Sequence, residues 1–191
     1  MNVLGAGSAN GGISLLHAFG LGKGCSAGIE LSTRVSIVEG PNRGILGDHH
    51  RLLEAVISTW SSQGLPNHGS FYWKVESNVP IGQGLKSSSA LACAALRALD
   101  SISWTGLSDD EIADLAVTSQ KIAKCSITGS LDDAWSSLRC GWKLVDPELP
   151  ASQSVLLEGE MDSGLEAVSY THLRAHETRH DLVCRLLHEK K

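Results

Sequence analysis

Pro80-Ile81-Gly82-Gln83-Gly84-Leu85-Lys86-Ser87-Ser88-Ser89-Ala90 joins a strand-like run, Phe71 to Val79, to a helix-like run, Leu91 to Leu99. Small residues in such a loop let backbone N–H groups turn inward with no Cβ in the way. The start of the following helix adds unpaired N–H donors and the positive end of a dipole. Together these features make a seat for phosphate. Lys86 adds a point charge, and the serine hydroxyls can reach a phosphate oxygen or a magnesium ion. The plainer alternative is a loop closed by a serine N-cap.

Better-known phosphate and nucleophile motifs are absent. No G-x-x-x-x-G-K-[ST] occurs; the nearest approach, Gly22-Lys23-Gly24, has His17 where the leading glycine belongs and Gly24 in place of the Ser or Thr. G-x-S-x-G is also missing. Gly5-Ala6-Gly7 hints at a dinucleotide turn, but Asn10 stands at the third glycine position.

A chain of 191 residues with 42% hydrophobic content is long enough for one domain or slightly more, with a substantial core. The net charge of −5 argues against nucleic acid as a partner. No apolar stretch is long enough for a membrane span. Val3 to Leu21 lacks a basic leader and is interrupted by Gly5, Gly7, Gly11 and Gly12, so it does not read as a signal peptide. The five cysteines, Cys25, Cys93, Cys125, Cys140 and Cys184, show no C-x-x-C spacing. They read as reduced, mostly buried thiols of a cytoplasmic protein.

Hydrophobic periodicity places the loop in a mixed chain. Ala27 to Val38 alternates as a strand, and Asp48 to Ser62 carries Leu52, Leu53, Val56, Ile57 and Trp60 at helical spacing. Gly64, Pro66, Asn67 and Gly69 end that helix. Phe71 to Val79 alternates as a half-buried strand. Ser108-Asp109-Asp110-Glu111 is a capping box that starts a helix running to about Lys124, with Ile112, Leu115 and Ala116 as its buried stripe. Asp132 to Leu138 reads as a short helix and Gly141 to Val145 as a strand. The order mixes strands and helices without a regular βαβ alternation.

Three blocks carry a resemblance to a known family. P-x-x-x-G-L-x-S-S in Pro80 to Ser88 resembles the phosphate loop of the GHMP kinase superfamily. HAFGLGKGCSAGIELSTRVSI, His17 to Ile37, is similar to its N-terminal stretch, and SITGSLDDAWSS, Ser126 to Ser137, to its Thr-Gly-x-x-Asp-Asp-Ala segment. Lys86 stands where most of the superfamily has glycine, and GLKSSSA resembles the archaeal-type shikimate kinases. The resemblance covers about residues 1 to 165. It implies an α+β fold like domain 2 of ribosomal protein S5, a four-stranded sheet with helices on one face. Residues 1–150 would form the ATP-binding N-terminal domain and 151–167 the start of a largely missing ferredoxin-like domain.

The resemblance also implies the activity: ATP and Mg²⁺ as cofactors, and shikimate phosphorylated on its 3-hydroxyl on the route to aromatic amino acids. Homoserine or mevalonate is the alternative alcohol, and an inactive nucleotide-binding fragment the alternative outside catalysis. Pro80, Gly82, Gly84, Leu85, Lys86, Ser87, Ser88, Ser89 and Ala90 are the implied ATP-binding set, with Ser88 the magnesium ligand. Asp132 is the implied catalytic acid, although Asp132 and Asp133 would also complement a helix dipole. Superfamily members often carry a glutamate some three helical turns before that aspartate; Gln120 and Lys121 stand there instead. Lys23 and His17 are the implied substrate-binding residues, and His17 also reads as a core histidine.

The end of the chain differs in character. From Ser169 onward five Lys and Arg oppose three Asp and Glu, a net +2, whereas the preceding residues carry eleven against eighteen, a net −7. His172, His176 and His180 recur at helical spacing, which would suit a metal. The string VSYTHLRAHETRHDLVCRLLHEKK instead resembles translated sequencing-adapter DNA, so residues 168–191 are expected to be a non-native tail. A truncated chain would expose apolar surface where a missing half packs.

Overall fold

The computed structural model describes residues 2–41, 51–66, 68–126 and 130–162. The expected tail at 168–191, the helix start at Asp48 and the Thr-Gly turn at 128–129 lie outside the described residues. The elements run β1 (Val3–Leu16), α1 (Ala18–Leu21), β2 (Gly24–Glu39), α2 (Leu52–Ser62), β3 (Phe71–Ser77), α3 (Ser87–Ser103), α4 (Asp109–Ile122), α5 (Leu131–Leu138), β4 (Trp142–Val145), α6 (Ala151–Ser154) and β5 (Val155–Gly159).

One antiparallel hairpin organises the sheet. β1 and β2 pair from Val3↔Val38 to Leu16↔Cys25, with register shifts between Val3 and Gly5, Asn10 and Gly12, and Ser14 and Leu16. The opposite edge of β2 is divided. β4 takes residues 24–27 and β3 takes 33–39. β5 then pairs with β4, which makes five strands where four were expected. The fifth comes from residues 155–159, which continue the ladder beyond β4.

Helix α3 is central to the core. Ala90, Ala92, Cys93, Ala94, Ala95, Leu96, Ala98 and Leu99 are all buried, a run apolar on nearly every side. It lies against β1 at positions without side chains. A Cβ on Gly7 would stand 2.4 Å from the Ala94 carbonyl oxygen and 2.5 Å from the Ala98 nitrogen. One on Gly5 would stand 2.2 Å from Ile102 Cγ2. The glycines that make the first residues read as a broken apolar run are thus the seat of a helix. β1 escaped the sequence reading because glycine is depleted in strands.

The remaining elements follow their local signals. In α2, Leu52, Leu53, Val56 and Trp60 are buried, and Trp60 Nε1 donates to the Pro66 carbonyl at 2.9 Å. Ser108 caps α4: its backbone N–H and its hydroxyl both donate to Glu111, at 2.8 and 2.7 Å. Ile112, Leu115 and Ala116 are buried as the stripe predicts. Of the cysteines, Cys25 and Cys93 are buried, but Cys140 is exposed because it sits in the turn before β4. Burial pushes the Cys93 thiol up to about 12. Cys184 lies outside the described residues. Among the described residues no helix is long and apolar enough to cross a membrane. Among the described residues, large exposed apolar side chains include Val3, Leu4, Leu15 and Leu16 on β1, Leu156 and Leu157 on β5, and Leu21, Ile81 and Trp104 outside the sheet.

The β1–α3 contact is testable by adding one methyl group. Gly7→Ala should cost about 1–3 kcal/mol, because the new carbon meets backbone rather than a side chain that can swing away. Gly20→Ala, with nothing within 4 Å of its Cβ, should be neutral or slightly stabilising. Thermal unfolding followed by circular dichroism separates the two; equal midpoints would contradict the close packing.

Candidate active site

The loop between β3 and α3 is built from backbone that turns the wrong way for ordinary residues. Gly82 and Gly84 both have φ of +74°, and both are exposed. The loop is seated on β1, where Gly12 N–H donates to the Leu85 carbonyl at 3.1 Å. A Cβ on Gly11 would lie 3.0 Å from that same oxygen. Lys86 follows with φ of +61°, a left-handed conformation that costs a non-glycine residue about 1–2 kcal/mol.

Lys86, not a serine, is the N-cap of α3, and no side chain caps it. Ser87, Ser88 and Ser89 form the first turn, and the first helical bond is Ala90 N–H to the Lys86 carbonyl at 3.0 Å. The serine N-cap alternative therefore fails, and the leading N–H groups stay directed along the helix mouth. The serines divide. Ser87 and Ser88 are half-buried, whereas Ser89 is buried and its hydroxyl donates to Gln120 Oε1 at 3.1 Å. The expectation of a Ser89 hydroxyl on phosphate is corrected accordingly; only its backbone faces the helix start.

Asp132 and Asp133 open α5, where a helix N-terminus favours carboxylates. Asp132 is buried and accepts a hydrogen bond from Ser26 Oγ at 2.6 Å. Asp133 Oδ1 lies 3.2 Å from the same hydroxyl and 2.7 Å from Lys86 Nζ. Lys86 Nζ also donates to Ser14 Oγ. Ser14 and Ser26 are direct cross-strand partners on β1 and β2, so the hairpin presents one hydroxyl to the lysine and one to the acids. Burial raises the Asp133 carboxyl above the ordinary carboxylate range, opposed by the Lys86 ammonium and reinforced by the Asp132 charge. Burial, then the Asp132 charge, also pushes up the Cys25 thiol. Gly24 completes the enclosure: a Cβ there would lie 2.7 Å from Asp132 Cγ.

The other expected residues lie at the same end of the hairpin but are differently engaged. Lys23 precedes Gly24, and its ammonium pairs with Asp146, whose carboxyl it holds below the usual range. His17 is exposed and is the N-cap residue of α1, which removes the core-histidine alternative. Gln120 is buried and spent on Ser89. Among the described residues no cluster of three or more His, Cys, Asp or Glu could hold a metal alone. Sequence reasoning missed Ser14 and Ser26. Single serines in strands carry no motif, and only the cross-strand register brings them to the acids.

With this geometry in view, comparison with known proteins is specific. Residues 50–141 match the GHMP kinases N terminal domain. Shikimate kinase of Pyrococcus abyssi is 37% identical over 152 residues, covering 74% of this chain and 55% of that protein. Shikimate kinase of Thermoplasma acidophilum is 33% identical over 140 residues, covering 72% and 48%. Among solved structures, Methanococcus jannaschii mevalonate kinase superposes with a TM-score of 0.63 at 19% identity, covering 82% of this chain and 55% of that one. Lactococcus lactis galactokinase, complexed with galactose, gives 0.64 at 14% identity, covering 76% and 45%. These two show the fold. The chain carries a GHMP kinase N-terminal domain. It is similar to archaeal shikimate kinases and spans about half the length of the curated relatives it matches.

The acid-bearing helix is braced at its far end by a charge cluster. Arg97 on α3 donates to the Ser8 carbonyl, to Asp109 Oδ1 at 2.8 Å and to the Leu138 carbonyl at 3.1 Å. Arg139 donates to Asp109 Oδ2 at 2.8 Å and lies over the Trp135 ring. Partial burial pushes the Asp109 carboxyl up, but the two guanidiniums outweigh it and hold it below the ordinary value. Its stabilising contribution is therefore complete above the unfolded pKa, about 3.9, and is lost as pH falls through the lower folded value. Asp109→Asn should cost about 0.5–1 kcal/mol at pH 7. In urea titrations the gap from the native chain should hold down to about pH 5 and close below about pH 4. A gap that widens in acid would contradict this assignment.

Proposed function

We propose that this domain is the nucleotide-binding half of a small-molecule kinase that transfers the γ-phosphoryl group of ATP to the 3-hydroxyl of shikimate. The observation that carries the reading is the 2.7 Å Lys86–Asp133 pair, which joins the phosphate-type loop to the helix bearing Asp132. Phosphoryl transfer needs the phosphates held and the acceptor hydroxyl oriented, with little covalent work by the protein. The uncapped start of α3 and the Gly82–Gly84 turn supply N–H donors for the phosphates, with the Ser87 and Ser88 hydroxyls beside them. Asp132, held by Ser26, orients the alcohol and receives its proton.

Magnesium fits this donor set. The ion keeps several waters and takes most of its other ligands from phosphate oxygens, so one protein hydroxyl suffices. Ser88, half-buried on the first turn of α3, would be that ligand; Gln120 is already engaged. When bound, the ion neutralises charge on the transferred phosphoryl group. Lys23 and His17, at the Asp132 end of the hairpin, are the proposed contacts to the acid substrate. Residues 1–150 form the ATP-binding domain and 168–191 are a non-native tail; the expectation that a second domain begins at 151 is corrected, because β5 extends the same sheet and Ala151 joins the same core. The protein acts in the cytoplasm, on a small molecule rather than on nucleic acid or membrane.

Similarity to archaeal shikimate kinases favours shikimate, whereas mevalonate kinases share the fold at low identity. A second reading is a nucleotide-binding domain without turnover: Lys23, the expected substrate contact, is already paired with Asp146. ADP release coupled to NADH oxidation, with shikimate, mevalonate and homoserine compared, decides between them. Turnover should appear with shikimate alone. Asp132→Asn should lower kcat at least about 10²-fold while leaving Mg–ATP affinity within about threefold. Turnover near the native rate in that variant would remove Asp132 from the chemistry.

A further inference from the structure

Lys86 holds a left-handed backbone conformation that glycine would adopt without strain, and its side chain leaves the loop to reach two other elements. Its ammonium pairs with Asp133 on α5 at 2.7 Å and donates to Ser14 on β1. The lysine and aspartate side chains are each only 13% exposed, so neither charge is held by solvent. The consequence reaches Asp132 through Ser26. That hydroxyl has one proton and faces two carboxylates, Asp132 at 2.6 Å and Asp133 at 3.2 Å. With Lys86 satisfying Asp133, the proton goes to Asp132. Without Lys86, two adjacent buried carboxylates would repel each other and compete for a single donor.

We propose that Lys86 is a positioning residue rather than a phosphate ligand: paired with Asp133, it reserves the Ser26 hydroxyl for Asp132 and so fixes the acid relative to the loop. Resting on the kinase reading given above, this inference assigns Lys86 and Asp133 one joint role in the acceptor half of the site.

The test compares Lys86→Gly, Asp133→Asn and the double variant with the native chain. Glycine suits the backbone at 86, so the variant removes the charge without unfolding the loop. Three measurements are made: Mg–ATP affinity by calorimetry, kcat with shikimate, and a crystal structure of Lys86→Gly. Each single variant should bind Mg–ATP within about threefold of native and lose about 10–100-fold in kcat with KM for ATP unchanged. The double variant should be no slower than the slower single, and Lys86→Arg should recover part of the loss. In the crystal, Asp132 should have left Ser26. The proposal is overturned if Lys86→Gly loses tenfold or more in Mg–ATP affinity while Asp133→Asn keeps it, since Lys86 then binds phosphate. It is equally overturned if the kcat losses multiply, if both single variants keep kcat, or if Asp132 stays on Ser26. A native chain that binds Mg–ATP without turnover refutes the kinase reading instead, and the affinities and the crystal structure then judge the positioning role. A native chain that does not bind Mg–ATP refutes both.

Discussion

Helix α3 rests on bare backbone. Positions 5 and 7 of β1 carry no side chain, and the helix approaches so closely that a methyl group at 7 would overlap its main chain and one at 5 the Ile102 and Ser101 side chains. Everything in the candidate site is registered to that contact. The N-terminus of α3 is the mouth of the loop, and the same β1 strand, a few residues on, receives the Leu85 carbonyl at Gly12 and the Lys86 ammonium at Ser14. Directional bonds can fix the loop only because the helix behind it cannot slide. Interiors packed at crystal-like density transmit such constraints well.

A second constraint is electrostatic. Two neighbouring aspartates are mostly buried, where unpaired charge is costly. The fold meets them with the positive end of α5, the Ser26 hydroxyl and one cation that crosses from the loop. At the other end of α5, Arg97 and Arg139 converge on Asp109 and on the Leu138 carbonyl. The short acid-bearing helix is thus held at both ends by charge-assisted bonds rather than by its own eight residues, too few to be stable alone.

What was legible in the sequence was local. The capping box at Ser108, the alternation of Phe71 to Val79, the apolar spacing of α2 and the loop after Pro80 each declare themselves within a few residues, although β3 ends at Ser77 and α3 begins at Ser87, inside the run read as loop. β1 was not legible, because its glycines oppose strand formation and serve a helix some ninety residues further on. Ser14 and Ser26 were invisible for a related reason: their roles depend on strand register, which no short motif encodes. The three-serine run promised more than it delivers. Its last member faces Gln120 because helical geometry turns one residue of any first turn toward the core. Lys86 was noticed as a departure from glycine, but the sequence could not say that its charge is spent on a neighbouring acid.

Strand β1 has a further property. It has fourteen residues and, among the described ones, only β2 as a ladder partner, so one of its long sides carries no strand, although the Leu85 carbonyl takes the Gly12 N–H and Arg97 the Ser8 carbonyl. Such an edge is ordinarily a template for self-association. Here three register shifts break its pleat, and glycine supplies little of the side-chain grip that holds an added strand. The residues that admit α3 from within therefore also make the strand a poor nucleus for intermolecular sheet growth, and substituting them with β-branched side chains would risk insolubility as well as misfit.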